Sequence, residues 1–249
     1  MRLSILGAGT ILPQPNRSPA CHLLEIAGRK LVFDLGPGAV ARLAAAGLDH
    51  REIDTVFISH LHPDHVLDLV TLLQATNATP SWERRAPLQL IGCRGLAAFT
   101  EALLAIFRDA RPETYALEIH ELELGANEVA GLNIHAALTG HTSNSLALRL
   151  EAEGRVFAYS GDAADLPALV EIAQDADLFL CEASFPDGQG TPDHLTATQA
   201  ASIAARAGVR HLVLTHLYPQ ADTQNMRAEA EAQFKGRLTI AQDGTEVRA

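Results

Sequence analysis

The chain is poor in several features, and those shortages narrow what it can be. Only 3 of its 249 residues are cysteine, Cys21, Cys93 and Cys181, an odd and scattered number with no Cys-x-x-Cys pair. This argues against a disulfide framework or a thiolate zinc finger and fits reduced core cysteines in a cytoplasmic protein. No apolar run approaches the roughly 20 residues that a membrane-spanning helix requires. The N-terminus, Met1-Arg2-Leu3-Ser4-Ile5-Leu6, is interrupted by Gly7, Gly9 and Pro13, so it reads as a strand and turn and not as a signal peptide. Positive charge is scarce as well: 19 Lys+Arg stand against 30 Asp+Glu, a formal net charge of −11. A protein that grips a polynucleotide by its phosphates normally carries a basic footprint. Arg84-Arg85 and the Arg108/Arg111 pair are too short to make one and read as solvated faces. Nucleic acid is therefore an unexpected partner, and small phosphodiesters suit the chain better than folded RNA.

Histidine and aspartate, by contrast, are concentrated. Ser59-His60-Leu61-His62-Pro63-Asp64-His65 places three imidazoles and a carboxylate within six residues, directly after the apolar run Val56 to Ile58. Nitrogen and oxygen donors at that density suit a borderline-soft divalent metal such as zinc; manganese and iron also fit a mixed donor set. In an extended stretch His60 and His62 face the same way, while Asp64 and His65 fall where the chain turns into a helix. Four such close neighbours cannot readily close one tetrahedron, so the natural division is His60 with His62 on one ion and Asp64 with His65 on a second. The missing ligands must come from distant parts of the chain. His141, Asp162 and His216 each follow an apolar strand-like run and sit in a loop, where active-site residues concentrate.

These motifs resemble the metallo-β-lactamase superfamily: the His-x-His-x-Asp-His run at 60 to 65, then His141, Asp162 and His216 in the superfamily's order. The branch it is most similar to is ribonuclease Z, on three further features: Gly7-Ala8-Gly9-Thr10 with Pro13 and Arg17-Ser18, the segment Glu182-Ala183-Ser184-Phe185, and His194-Leu195-Thr196-Ala197 heading a helix. The resemblance implies a four-layer αββα sandwich. It implies that His60, His62 and His141 hold one ion, that Asp64, His65 and His216 hold the other, and that Asp162 bridges them. It also implies that Glu182 holds His194 protonated as a general acid, while Asp64 positions a metal-bridging hydroxide for attack. Processing enzymes of that branch usually carry an RNA-gripping arm between the positions matching His141 and Asp162. Here those residues are only 21 apart, and a strand pair (145–150 and 155–159) fills the space.

The expected activity is therefore dinuclear metal-dependent hydrolysis of a small phosphodiester, of the cyclic nucleotide or cyclic phosphate type. The alternatives are a ribonuclease Z-like endonuclease acting on transfer RNA and a glyoxalase II-like thioesterase or lactonase. A homodimer is compatible with the resemblance.

Strands and helices alternate without a linker, so one domain over residues 1–249 is expected, with helices at 38–46, 66–75, 96–107, 166–173, 196–207 and 226–234. Gly7-Ala8-Gly9 reads as a tight turn bringing backbone close to the site, because residue 12 is Leu and the dinucleotide fingerprint is incomplete. Asp34 either orients a metal-binding histidine or caps the helix after Pro37. His22, His50, His120, His135 and His211 read as structural or exposed, and 80–87 reads as a mobile loop close in sequence to the metal motif.

Overall fold

A computed structural model describes residues 1–221 and 223–249. Two seven-stranded mixed sheets face each other. The first is built from β1 (Arg2–Gly7), β2 (Cys21–Ile26), β3 (Arg29–Phe33), β4 (Thr55–Ile58), β5 (Leu88–Gly92) and β6 (Leu117–Glu121), with β14 (Thr245–Arg248) returning to the edge beside β1. The second runs β7 (Gly125–Val129), β8 (Leu132–Leu138), β9 (Leu146–Ala152), β10 (Arg155–Tyr159), β11 (Leu178–Glu182), β12 (His211–Thr215) and β13 (Arg237–Ile240) in sequence order.

Between the sheets lies an apolar layer that includes Leu3, Ile5, Phe33, Phe57, Leu148, Phe157 and Leu180. Helices α1 (Ala39–Ala45), α3 (Asp68–Ala78) and α4 (Leu96–Ile106) cover the outside of the first sheet, burying Leu43, Leu69, Leu72, Leu73 and Leu104. On the outside of the second sheet, α5 (Pro167–Ile172), α6 (Ala197–Arg206) and α7 (Thr223–Gln233) bury Leu169, Ile203 and Met226. Strands β4, β11 and β12 are buried along their whole length, and β10 over its last three residues, because both of their faces are covered. The result is the expected αββα sandwich.

The chain between His141 and Asp162 is the antiparallel hairpin β9–β10, closed at Glu153-Gly154, where both residues have positive φ. That is the twist-matched two-residue turn, and it leaves no insertion in which an arm could stand.

The helix expected at 66–75 differs in two ways. It begins earlier, at α2 (Pro63–Val66), because Pro63 occupies the first helical position, where its missing N–H costs nothing. It then continues as α3 to Ala78.

The arginine pair at 84–85 requires a correction. Arg84 is 5% exposed, not a solvated side chain, and its guanidinium donates to the carbonyls of Ile53 (2.7 Å), Ala86 (2.9 Å) and Pro87 (3.1 Å). Those bonds hold the 80–87 segment beside the start of β4. The metal motif leaves the other end of that strand, so the segment is not placed to gate it.

Candidate metal centre

The strands deliver their donors to one edge of the sandwich. Asp34 follows β3, His60 and His62 follow β4, and Asp64 and His65 lie in the single turn of α2. From the second sheet, His141 comes from the β8–β9 loop, Asp162 from the end of β10, Glu182 from β11 and His216 from the end of β12. Close backbone contacts fix this convergence. Leu35 N–H donates to His65 O (2.7 Å) and Asp68 N–H to Leu35 O (2.8 Å). At Gly36 an added Cβ would lie 2.1 Å from Asp64 O, so only glycine lets the β3 loop pass under α2. The Gly7-Ala8-Gly9 turn makes the expected approach: Leu217 N–H, next to His216, donates to Ala8 O (2.8 Å).

All seven expected ligands meet. One group comprises His60, His62, His141 and Asp162; a second comprises Asp64, His65 and His216; within each group the candidate ligand atoms lie within 4.8 Å of one another. Asp162 belongs to both in distance. Its Oδ2 lies 3.7 Å from His60 Nε2, 3.7 Å from His141 Nε2 and 3.3 Å from His216 Nε2, and its Oδ1 lies 3.3 Å from His65 Nε2. Ligands at about 2.0–2.2 Å from a shared tetrahedral ion are about 3.4 Å from each other, so these spacings suit a divalent metal. Buried His60 Nε2, His65 Nε2, His216 Nε2 and Asp162 Oδ1 make no hydrogen bond within the protein. Orphaned buried donors converging on one point are costly unless something binds them.

The opposite ring nitrogens are engaged, which orients the rings. Nδ1 of His65 donates to Asp34 Oδ2 (2.7 Å). Ser59 Oγ gives its proton to the same oxygen (2.8 Å) and therefore accepts from His60 Nδ1 (3.1 Å). His141 Nδ1 donates to Asp193 O (3.0 Å). On the second sheet, Ser184 Oγ donates to Glu182 Oε2 (2.5 Å) and accepts from His216 Nδ1 (3.0 Å). Such partners set the tautomer that leaves Nε2 free to ligate.

Asp34 thus resolves in favour of orienting histidines; Tyr159 OH, from the other sheet, also donates to it (2.7 Å). The oxygen that receives an N–H of α1 belongs instead to Asp68, which accepts from Val40 (2.8 Å). Asp34 (φ 58) and His216 (φ 55) both occupy the left-handed region, a strain that non-glycine residues carry chiefly where surrounding contacts fix them.

Electrostatics follow the packing. Burial and the facing His65 ring push His60 down to about 3, keeping it neutral and able to ligate. Burial opposes charge on Asp162, yet His216, His65 and His60 hold its carboxylate well below the usual range. Burial likewise disfavours the charged form of His65, and the carboxylates of Asp162 and Asp34 overcome it, raising its pKa well above that of an ordinary histidine; a cation bound at Nε2 would take the place of that proton.

His194 completes the edge, its ring centroid 4.6 Å from that of His141 and 5.5 Å from that of His216. Its Nδ1 lies 2.9 Å from Glu182 Oε1. Burial would lower its pKa, but the hydrogen bond and charge of Glu182 prevail and raise it to about 9. Thr196, not Asp193, caps the helix that follows, accepting from Gln199 N–H (3.3 Å). Sequence reading did not assign Ser59, Tyr159 or Ser184 a role. Each stands within three residues of a donor it did single out, and that proximity was the available signal.

Comparison with known proteins agrees with this arrangement. The family model described as the beta-lactamase superfamily domain matches residues 29–217, more than half of the chain. A ribonuclease Z of Mycobacterium marinum is 31% identical over 270 residues, covering 98% of this chain and 96% of that protein. The human short-form tRNase Z has a similar structure, with a TM-score of 0.81 at 23% identity over 100% of this chain and 99% of that one. A diphosphatase of the PhnP family gives 0.77 at 19% identity over 100% and 97%. Fold, donor order and these likenesses agree: the chain belongs to the metallo-β-lactamase superfamily of hydrolases, in its ribonuclease Z-like branch.

Proposed function

We propose that the protein is a dinuclear metal-dependent phosphodiesterase acting on small phosphodiesters, of the cyclic nucleotide or cyclic phosphate type. In this reading His60, His62 and His141 would hold one ion and Asp64, His65 and His216 the other, with Asp162 in reach of both. Zinc suits the histidine-rich donors best. Ions held there supply Lewis acidity to the phosphoryl oxygens and make water acidic enough to attack near neutral pH. The protein's own part is orientation and proton supply. Asp64 and Asp162 accept hydrogen bonds from the attacking water and aim it. His194, kept protonated by Glu182, donates from Nε2 to the departing oxygen.

The Glu182–His194 pair beside both donor groups is the observation that carries this reading. An alkoxide leaving a phosphodiester needs a proton, whereas a thiolate leaving a thioester does not. That favours phosphodiesters over glyoxalase II-like substrates.

Near full-length similarity to a ribonuclease Z favours a second reading, cleavage of transfer RNA. The tight β9–β10 turn and the net charge of −11 weigh against it. Three buried free thiols suit a reducing compartment such as the cytoplasm, and among the described residues no helix is long and apolar enough to cross a membrane.

The test is hydrolysis of bis(p-nitrophenyl) phosphate by zinc- or manganese-loaded protein, with metal content measured in parallel. Turnover should require metal, and Asp162→Ala should abolish it together with bound metal. A protein that holds two ions yet leaves the diester intact would shift the reading to thioesters or lactones.

A further inference from the structure

Two aromatic rings beside the site have no part in the ligand and acid assignments. Phe185 and Tyr218 stack on each other, with centroids 4.5 Å apart and planes at 30°. Tyr218 meets the His194 ring edge-on at 5.8 Å and the His216 ring at 5.9 Å, while Phe185 reaches His194 at 6.1 Å. Both rings are half-buried, so part of their surface meets solvent. Their backbones are nonetheless fixed. Phe185 forms a β-bridge with Thr196, and Tyr218 N–H donates to Ser184 O (3.2 Å). The preceding residue, Leu217, is tied to the loop between β1 and β2 through Ala8 O and through Gln14 Nε2, which donates to Leu217 O (2.8 Å). That loop also presents Ile11 (48% exposed) and Leu12 (40% exposed) to solvent.

Rigid, partly exposed rings next to reacting groups suit stacking better than hydrogen bonding. Charge makes the same point: with a net charge of −11 the chain has little cation to offer an anionic substrate away from its ions. Affinity for the rest of the substrate must come largely from neutral contacts, and every nucleobase presents a flat π-face.

We propose that Phe185 and Tyr218 form a stacking ledge for a planar aromatic group, a nucleobase, carried by the phosphodiester. The proposal rests on the phosphodiesterase reading and narrows it to nucleotide substrates. Stacking on one such ring strengthens binding by about 5- to 100-fold.

The test measures binding without turnover. In equilibrium dialysis against zinc-loaded protein, adenosine 5′-monophosphate should bind at least about tenfold more tightly than inorganic phosphate. Tyr218→Phe, which retains the ring, should keep that preference. Tyr218→Leu and Phe185→Leu, each checked for native circular dichroism, should reduce it severalfold. Equal binding of the two ligands by the wild type, or a full preference in both leucine variants, would overturn the ledge. Its failure is separate from failure of the phosphodiesterase reading, which hydrolysis of bis(p-nitrophenyl) phosphate decides.

Discussion

At the scale of single residues, the site separates groups that would bind metal from groups that orient or donate. In the proposed reading His194 lies on the second side of that line, although it also clusters with His141 and Asp193 and with Asp162 and His216. Its Nδ1 is held by Glu182, and its ring packs against His141 and His216. His194→Ala should therefore lower turnover of a phosphodiester with an alkoxide leaving group by about 10²- to 10⁴-fold, the usual worth of a positioned proton donor, with bound metal retained. Metal analysis of the purified variant decides the point: a protein emptied of metal would make His194 a ligand and not an acid. Tyr159 belongs with the orienting groups, since its hydroxyl from the second sheet joins Ser59 and His65 on Asp34. Tyr159→Phe should weaken metal affinity by about 10- to 100-fold in chelator competition, as loss of such outer partners typically does. Unchanged affinity would show that Ser59 and His65 suffice to fix Asp34. The donors themselves were legible because they cluster at strand ends in short, chemically improbable runs. Tyr159 was not, because its partner lies 125 residues away on another sheet, and a lone tyrosine announces no partner.

At the scale of elements, apolar runs and turn residues marked most strands and helices correctly, since burial on two faces writes itself into the sequence as continuous hydrophobicity. Boundaries drifted where a local rule outweighed periodicity. Pro63 starts the helix three residues before its first apolar position, and the expected 226–234 helix runs from Thr223 to Gln233. The 80–87 segment misled in a different way. Its prolines and charges read as a solvated loop, but Arg84 turns inward and satisfies three backbone carbonyls that the loop would otherwise bury unpaired. Arg84→Ala should then destabilise the fold by about 1–3 kcal/mol in urea denaturation, the cost of leaving buried acceptors without donors. Its KM should not move, because the segment sits at the far end of β4 from His60. A change in KM at unaltered stability would place the segment in substrate access after all.

At the scale of the whole molecule, the two sheets place imidazoles in two electrostatic settings with opposite consequences for pH. At the metal edge, carboxylates face the rings; His211 is buried in the second sheet without one. His211, at the start of β12, is 3% exposed, lies 2.9 Å from Thr239 Oγ1 through Nε2, and leaves Nδ1 without a partner. Burial, helped by the Arg237 charge, pushes its pKa down to about 4. In the unfolded chain the same ring titrates near an ordinary histidine, about 6.5. Between those two values the unfolded state binds the extra proton, so stability is complete above about pH 6.5 and declines as the pH falls towards about 4. One such proton sets a slope of at most about 1.4 kcal/mol per pH unit. His22 is likewise pushed down, to about 3, chiefly by burial, although the Asp34 carboxylate of the metal edge opposes the shift. His211 is the cleaner probe, because it stands at the opposite end of β12 from His216. His211→Gln removes the proton uptake while keeping a side chain able to reach Thr239. Its urea midpoint should fall less than the wild type's between pH 7 and pH 5, while the metal-edge histidines titrate alike in both proteins and cancel from the comparison. Parallel losses in the two proteins would mean that His211 is solvated enough to titrate normally in the fold, and that acid sensitivity arises at other groups.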